Sequence, residues 1–245
     1  MNPVAFFFTC VGIFPFSISN TRVTPAAPKT IYEIPLPDGY ERKQVQENSF
    51  AKYLQQLSLK NDRTVYLYNG KPKTNQSAQY AVLNISVGNK DLQQCADAVM
   101  RLRAEYLKKQ NKPICFADNN SKKYCWDDYR HRGWQTYLDV VFGMCGTASL
   151  EKQLNKKSWK ALAAGDVLIK GGSPGHAVIV LDVACHSSTG EIIYLLAQSY
   201  MPAQDIHVLK NTNNKSLSPW YSASSVNIIS TPEWTFYESQ LRSWP

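Results

Sequence analysis

The apolar positions of this chain change period near residue 165. Before that point they recur three and four residues apart, the signature of amphipathic helices. Leu92, Cys95, Val99, Leu102 and Tyr106 share one face of a helix opened by Asp91, and Asp97, Arg101 and Glu105, each four apart, lie on the other. Trp134, Tyr137, Leu138, Val141 and Phe142 mark a second helix. Phe50, Tyr53, Leu54 and Leu57 mark a shorter one, capped by Asn48 or Ser49. Residues 64–68 and 80–87 are predicted as strands, the first ending in the hairpin signal Asn69-Gly70. After residue 165 the pattern is that of strands, expected over 166–170, 176–185, 191–199 and 205–209. Turn signals at Gly171-Gly172, residues 187–190 and Met201-Pro202 separate them. Helices followed by antiparallel strands define an α+β fold. No internal repeat and no composition break divides residues 41–245, so a single domain is expected there.

The N-terminal end differs. Residues 4–18 are apolar, too few for a membrane span and interrupted by Pro15. With Ser17-Ile18-Ser19 as a small-x-small cleavage pattern, residues 1–19 read as an export signal, the alternative being a buried N-terminal strand. Residues 20–40 carry Pro25, Pro28, Pro35 and Pro37 and read as an extended linker or wrapping arm. A periplasmic or secreted location follows, with membrane attachment only through an N-terminal anchor.

Charge and cysteine content narrow the partners. The net charge is +8, and none of it comes from residues 1–19. The lysines are dispersed apart from Lys152, Lys156, Lys157 and Lys160, which read as a solvated face. No basic stripe interleaved with aromatics points to nucleic acid. Of the six cysteines, Cys115 and Cys125 flank a polar loop and are placed to close it in an oxidising compartment, while Cys145 and Cys185 read as core residues. No cysteine or histidine spacing suits a metal, and no metal or cofactor is expected.

The chemistry-bearing positions are Cys95 and His176. Thiol hydrolysis needs a thiolate, a base and donors for an oxyanion. Cys95 sits about one turn into the Asp91 helix, where free N–H groups favour negative charge. Gln94 beside it carries a side-chain N–H suited to an oxyanion. Core filling is the competing use of Cys95, since it also falls on the apolar stripe. His176 follows Gly171-Gly172-Ser173-Pro174-Gly175 and so stands at a strand mouth, open to a cleft or to solvent. To orient its ring, Asp182 is too far, roughly 20 Å along the same strand. The returning strand reaches the level of His176 near residues 198–201, which makes Gln198 the orienter and Ser199 the reserve. His207 ranks second as a base. Trp220 and Tyr221, with Ser199, either bind substrate along the cleft or pack the sheet, the commoner use of such aromatics.

Gly165-Asp166-Val167-Leu168-Ile169 followed by Gly175-His176-Ala177-Val178-Ile179-Val180 resembles the strand pair of NlpC-type cell-wall endopeptidases. The resemblance implies a papain-like fold, with a cysteine-bearing helix packed on an antiparallel sheet. In that superfamily a helix-start cysteine, a strand-start histidine and a polar residue on the next strand form the site, and Cys95, His176 and Gln198 match that order. The family's cysteine is usually preceded by Asp and followed by Ser-Gly, where this chain has Gln94 and Ala96-Asp97. Longer blocks, residues 93–106, 171–178 and 197–207, resemble the bacterial domain-of-unknown-function family numbered 4846, found in secreted or lipid-anchored proteins of Gram-negative bacteria. The functional expectation is an exported cysteine peptidase or amidase acting on peptidoglycan-type peptides or another envelope polymer. The alternative is a catalytically inactive envelope binding or structural protein of the same fold.

Overall fold

A computed structural model describes Met1 and residues 27–224 and 227–245. Residues 2–19 of the expected export signal, with Cys10, and residues 20–26 of the expected arm lie outside the described residues. The first elements are β1 (Tyr40–Arg42), α1 (Phe50–Gln55), β2 (Gln79–Val82) and α2 (Cys95–Lys109). Then come a hairpin of β3 (Cys115–Ala117) and β4 (Lys123–Cys125), and the helices α3 (Trp126–Tyr129), α4 (Trp134–Met144) and α5 (Thr147–Gln153). Strands complete the chain: β5 (Asn155–Lys156), β6 (Val167–Lys170), β7 (His176–His186), β8 (Ile192–Gln198), β9 (His207–Leu209), β10 (Tyr221–Ser222), β11 (Ile228–Ser230), β12 (Thr235–Tyr237) and β13 (Leu241–Ser243). The α+β class stands. Among the described residues no helix is long and apolar enough to cross a membrane.

Nine strands form one antiparallel sheet in the order β2-β9-β8-β7-β6-β13-β5, with β1 on the far end of β7 and β10 on β8. Side chains alternate across it. Val167, Ile169, Ala177, Ile179, Leu195 and Ala197 face the helices, packing with Ala98, Leu102 and Leu138. Leu168, Val178, Val180, Tyr194 and Leu196, with Leu241 of β13, face a second layer built from Trp159, Ile229 and Phe236. Burial on both faces explains why β6, β7 and β8 read as near-continuous apolar runs rather than alternating ones.

Three local expectations change. Residues 64–68 form no strand: Tyr66 and Leu67 make single bridges to Pro72 and Gln204, and Tyr66 N–H is taken by Asp205 Oδ2. The Asn69-Gly70 turn is present, with Gly70 at φ +78°. The second strand is shorter than expected, ending at Val82. Finally, α2 begins at Cys95 rather than Asp91, because Asp97 Oδ2 accepts the Gln94 backbone N–H at 3.0 Å and closes the helix end there. Cys95 is therefore the first residue of the helix.

Candidate active site

The tip of α2 meets the mouth of β7 in a cleft of ≈ 550 Å³. Cys95, Gln94 and Asp97 enter from α2, Phe142, Cys145 and Thr147 from the α4–α5 junction, and residues 172–176 from the turn before β7. Tyr200, Met201 and Trp234 complete the lining. The turn depends on glycine. A Cβ on Gly175 would lie 2.8 Å from the Lys170 carbonyl and closer still to that of Gly172 and to the Thr147 hydroxyl.

The backbone N–H of Ala177, the residue after His176, is near enough to Cys95 to act on its thiol. Burial pushes the thiol up to about 11. The N–H groups of Ala177, Ala96 and Cys95 itself pull it back, and the Asp97 carboxyl adds to the rise. His176 shares the side of β7 that faces the second layer. Its ring stacks among Tyr200, Trp234 and Phe236, with centroids 4.7, 5.3 and 5.8 Å away. It is buried, not open to solvent as expected of a turn histidine, because those aromatics roof it while its edge lines the cleft. Burial holds it down at about 4, opposed by the hydrogen bond to Gln198 and by Glu233, with Lys73 reinforcing the fall.

Gln198 occupies the expected orienting position. Ile179 pairs with Ala197, so Gln198 stands one step along, on the same face as His176. Gln198 Oε1 is 2.9 Å from His176 Nε2. Its Nε2 donates to Glu233 Oε2 at 2.7 Å and lies 3.4 Å from His207 Nε2. Glu233 Oε2 also accepts from Lys73 Nζ at 2.6 Å, and Asn75 Nδ2 donates to Oε1 at 3.1 Å. These partners orient the amide. With acceptors around its nitrogen, the Gln198 oxygen faces His176, so His176 Nε2 carries the proton and Nδ1 is the basic nitrogen.

Several expected roles change. His207 is fully buried behind Gln198, where Nδ1 bonds the Asp205 carbonyl at 2.9 Å, so it is a packing partner and not a second base. Ser199 is fully buried and ties the Gln93 and Gln204 carbonyls together, outside the cleft lining. Trp220 is a core residue donating to the Pro35 carbonyl, and Tyr221 stacks on Tyr194 and donates to the Lys210 carbonyl. Neither reaches the cleft, because β10 pairs with the β8 segment at Ile193 and Tyr194, well away from the strand mouth. Asp182 serves the opposite end of the strand, ion-paired to Arg42 at 2.7 Å and bonded to Gln55. Gln94 lines the cleft, with its side-chain Nε2 3.1 Å from Asp91 Oδ1. Cys145 shares the cleft, its thiol pushed up to about 12 by burial. Cys115 and Cys125 form the expected disulfide. Among the described residues no group of three His, Cys, Asp or Glu side chains is gathered to hold a metal.

Sequence reasoning missed Lys73, Asn75, Glu233 and Trp234. They come from irregular segments with no periodicity, and only long-range folding brings them behind His176.

Fold and cleft define an α+β protein in which a helix-tip cysteine shares a cleft with a strand-mouth histidine held by a glutamine. The chain belongs to the family described as domain of unknown function (4846), whose model matches residues 31–134 and 118–243. No curated protein and no solved structure matches it.

Proposed function

We propose that this is an exported envelope protein with the papain-like, NlpC-like arrangement of a cysteine hydrolase, a peptidase or amidase. One observation carries the reading: Gln198 fixes the proton of His176 on Nε2 and leaves Nδ1 basic, in the same cleft that Cys95 lines. Its steps balance. Nδ1 takes the thiol proton as sulfur bonds the substrate carbonyl carbon, and the imidazolium returns that proton to the departing amine as the C–N bond breaks. Water, deprotonated by the same imidazole, then bonds the thioester carbon; the C–S bond breaks, the acid leaves, and the imidazolium returns its proton to the Cys95 sulfur. The Cys95 backbone N–H, which lacks an intrahelical acceptor, and the Gln94 side chain are the oxyanion donors of this scheme. The Cys115–Cys125 bond supports export, since such bonds persist in oxidising compartments.

Among the described residues, the cleft lining holds the Asp91 carboxyl group, the Asp97 carboxyl, which burial pushes well above the usual carboxylate range, and no lysine or arginine, on a chain of net charge +8. Peptides with neutral or amine-bearing flanks therefore suit it better than acidic ones. A thiol near 11 and an imidazole near 4 are both neutral at pH 7. Resting Cys95 is thus a thiol and not an ion-paired thiolate, and turnover is expected to be modest. The same burial favours the second reading, a catalytically silent envelope protein that binds through this cleft.

Alkylation of Cys95 by iodoacetamide separates the two. On the hydrolase reading, Cys95 reacts faster than Cys145 and Cys185, and its rate climbs by about tenfold per pH unit from 7 to 9 with no plateau at neutrality. His176→Ala slows it by about a hundredfold. Gln198→Ala slows it more than Asp182→Asn does. Equal rates at Cys95, Cys145 and Cys185, indifferent to His176→Ala, would leave only the binding reading.

A further inference from the structure

We propose that Glu233 is a positioning residue of this site: by accepting an amide proton of Gln198, it holds the Gln198 oxygen toward His176 and thereby sets which ring nitrogen carries the proton. The inference rests on the reading of Cys95 and His176 as a reactive pair. An amide has two faces of nearly equal shape and opposite hydrogen-bonding sense. Only its neighbours decide which way it points. Turned over, Gln198 would present N–H groups to His176 Nε2, which would then have to accept, and the proton would move to Nδ1. Nδ1 in that state cannot take a proton from a thiol.

The structure supplies the restraint against that flip. Gln198 is buried, and its nitrogen is 2.7 Å from a carboxylate oxygen that cannot donate. His207 Nε2 stands on the same side, but at 3.4 Å it is a weak second acceptor. Glu233 is itself fixed, by Lys73 Nζ on one oxygen and Asn75 Nδ2 on the other. The hydrogen bonds therefore run from Lys73 through Glu233 and Gln198 to His176. Trp234, the residue after Glu233, stacks on the same imidazole, so one short segment sets both the plane and the tautomer of the ring.

The test is the tautomer of His176, read from its ring nitrogen chemical shifts by NMR on the whole protein at pH 7. Wild type is expected to be protonated at Nε2. Protonation at Nδ1 in wild type overturns the proposal without any variant. In Glu233→Ala the Nδ1–H form is expected to rise from a trace to about half, since the freed amide can point either way. Glu233→Gln, whose oxygen can still accept, should restore the wild-type ratio, a rescue that loss of a merely structural carboxylate would not show. Should Glu233→Ala fold poorly because Lys73 is stranded, Lys73→Met/Glu233→Ala removes the unpaired charge and reads the same ratio. An unchanged ratio in either folded variant overturns the proposal. Alkylation of Cys95 in His176→Ala tests the hydrolase reading separately, so either can fail alone.

Discussion

At the residue scale, the polar groups behind the cleft work as a closed network, and His207 shows how that couples to pH. Its ring is wholly buried and uncharged, held down at about 4 chiefly by burial. In the unfolded chain it titrates near 6.5, so between those values the unfolded state binds more protons than the folded one. Stability from this group is complete above pH 6.5 and is lost as pH falls toward 4. The loss is on the order of 3 kcal/mol. His207→Leu should flatten the pH dependence of urea unfolding over that window by up to one proton relative to wild type. An identical slope in the two proteins would mean that His207 already carries its charge in the folded state. The position of Gln198 beside His176 was legible in the sequence because strand register is arithmetic. His207 was misjudged because a ring on a neighbouring strand looks equally close until burial is known.

At the scale of elements, the site depends on two chain ends meeting: the tip of α2 and the turn into β7. Capping fixes the first. Asp97 folds back on the Gln94 N–H and makes Cys95 the opening residue, nearer the free N–H groups than the Asp91 start would have put it. Glycine fixes the second. At Gly175 a methyl group would collide with the Thr147 hydroxyl and with two backbone carbonyls, and the carbonyls cannot move without opening the turn. Gly175→Ala is therefore expected to cost about 2–3 kcal/mol, within the range of severe single substitutions, and to slow Cys95 alkylation by displacing His176. Thermal unfolding and alkylation rate check this together. Wild-type values for both would mean that the turn has room that the geometry denies. Strand and helix periods were readable here, as were the Gly-rich turn and the α1 cap, where Ser49 Oγ accepts from the Lys52 N–H. The helix start was not, because an Asp three residues into the helix competes with an Asp before it, and only packing chooses.

At the scale of the whole molecule, the sheet collects strands from Tyr40 to Ser243 and buries both of its faces. The β3–β4 hairpin lies outside that sheet and carries its own crosslink, Cys115 to Cys125, across a sequence separation of 10. Closing a loop of that length removes entropy from the unfolded chain worth about 3 kcal/mol. Reduction under native conditions should lower the unfolding free energy by about that amount. Mass spectrometry of protein taken from the periplasm should find both thiols bonded. Two free thiols there would count against both the bond and the proposed location.

The local periods, the α+β order, the strand register that brings Gln198 to His176 and the spacing that pairs Cys115 with Cys125 are all written in the order of residues. These depend on residues near in sequence or on the fixed geometry of a hairpin. Which polar groups stand behind the histidine depended on long-range folding. Lys73, Asn75 and Glu233 lie up to 160 residues apart and carry no shared pattern. Long-range folding likewise decided that Trp220 and Tyr221 pack the core and that Trp234 roofs the imidazole, since an aromatic side chain gains by burial wherever the fold leaves room, and sequence does not say where that is.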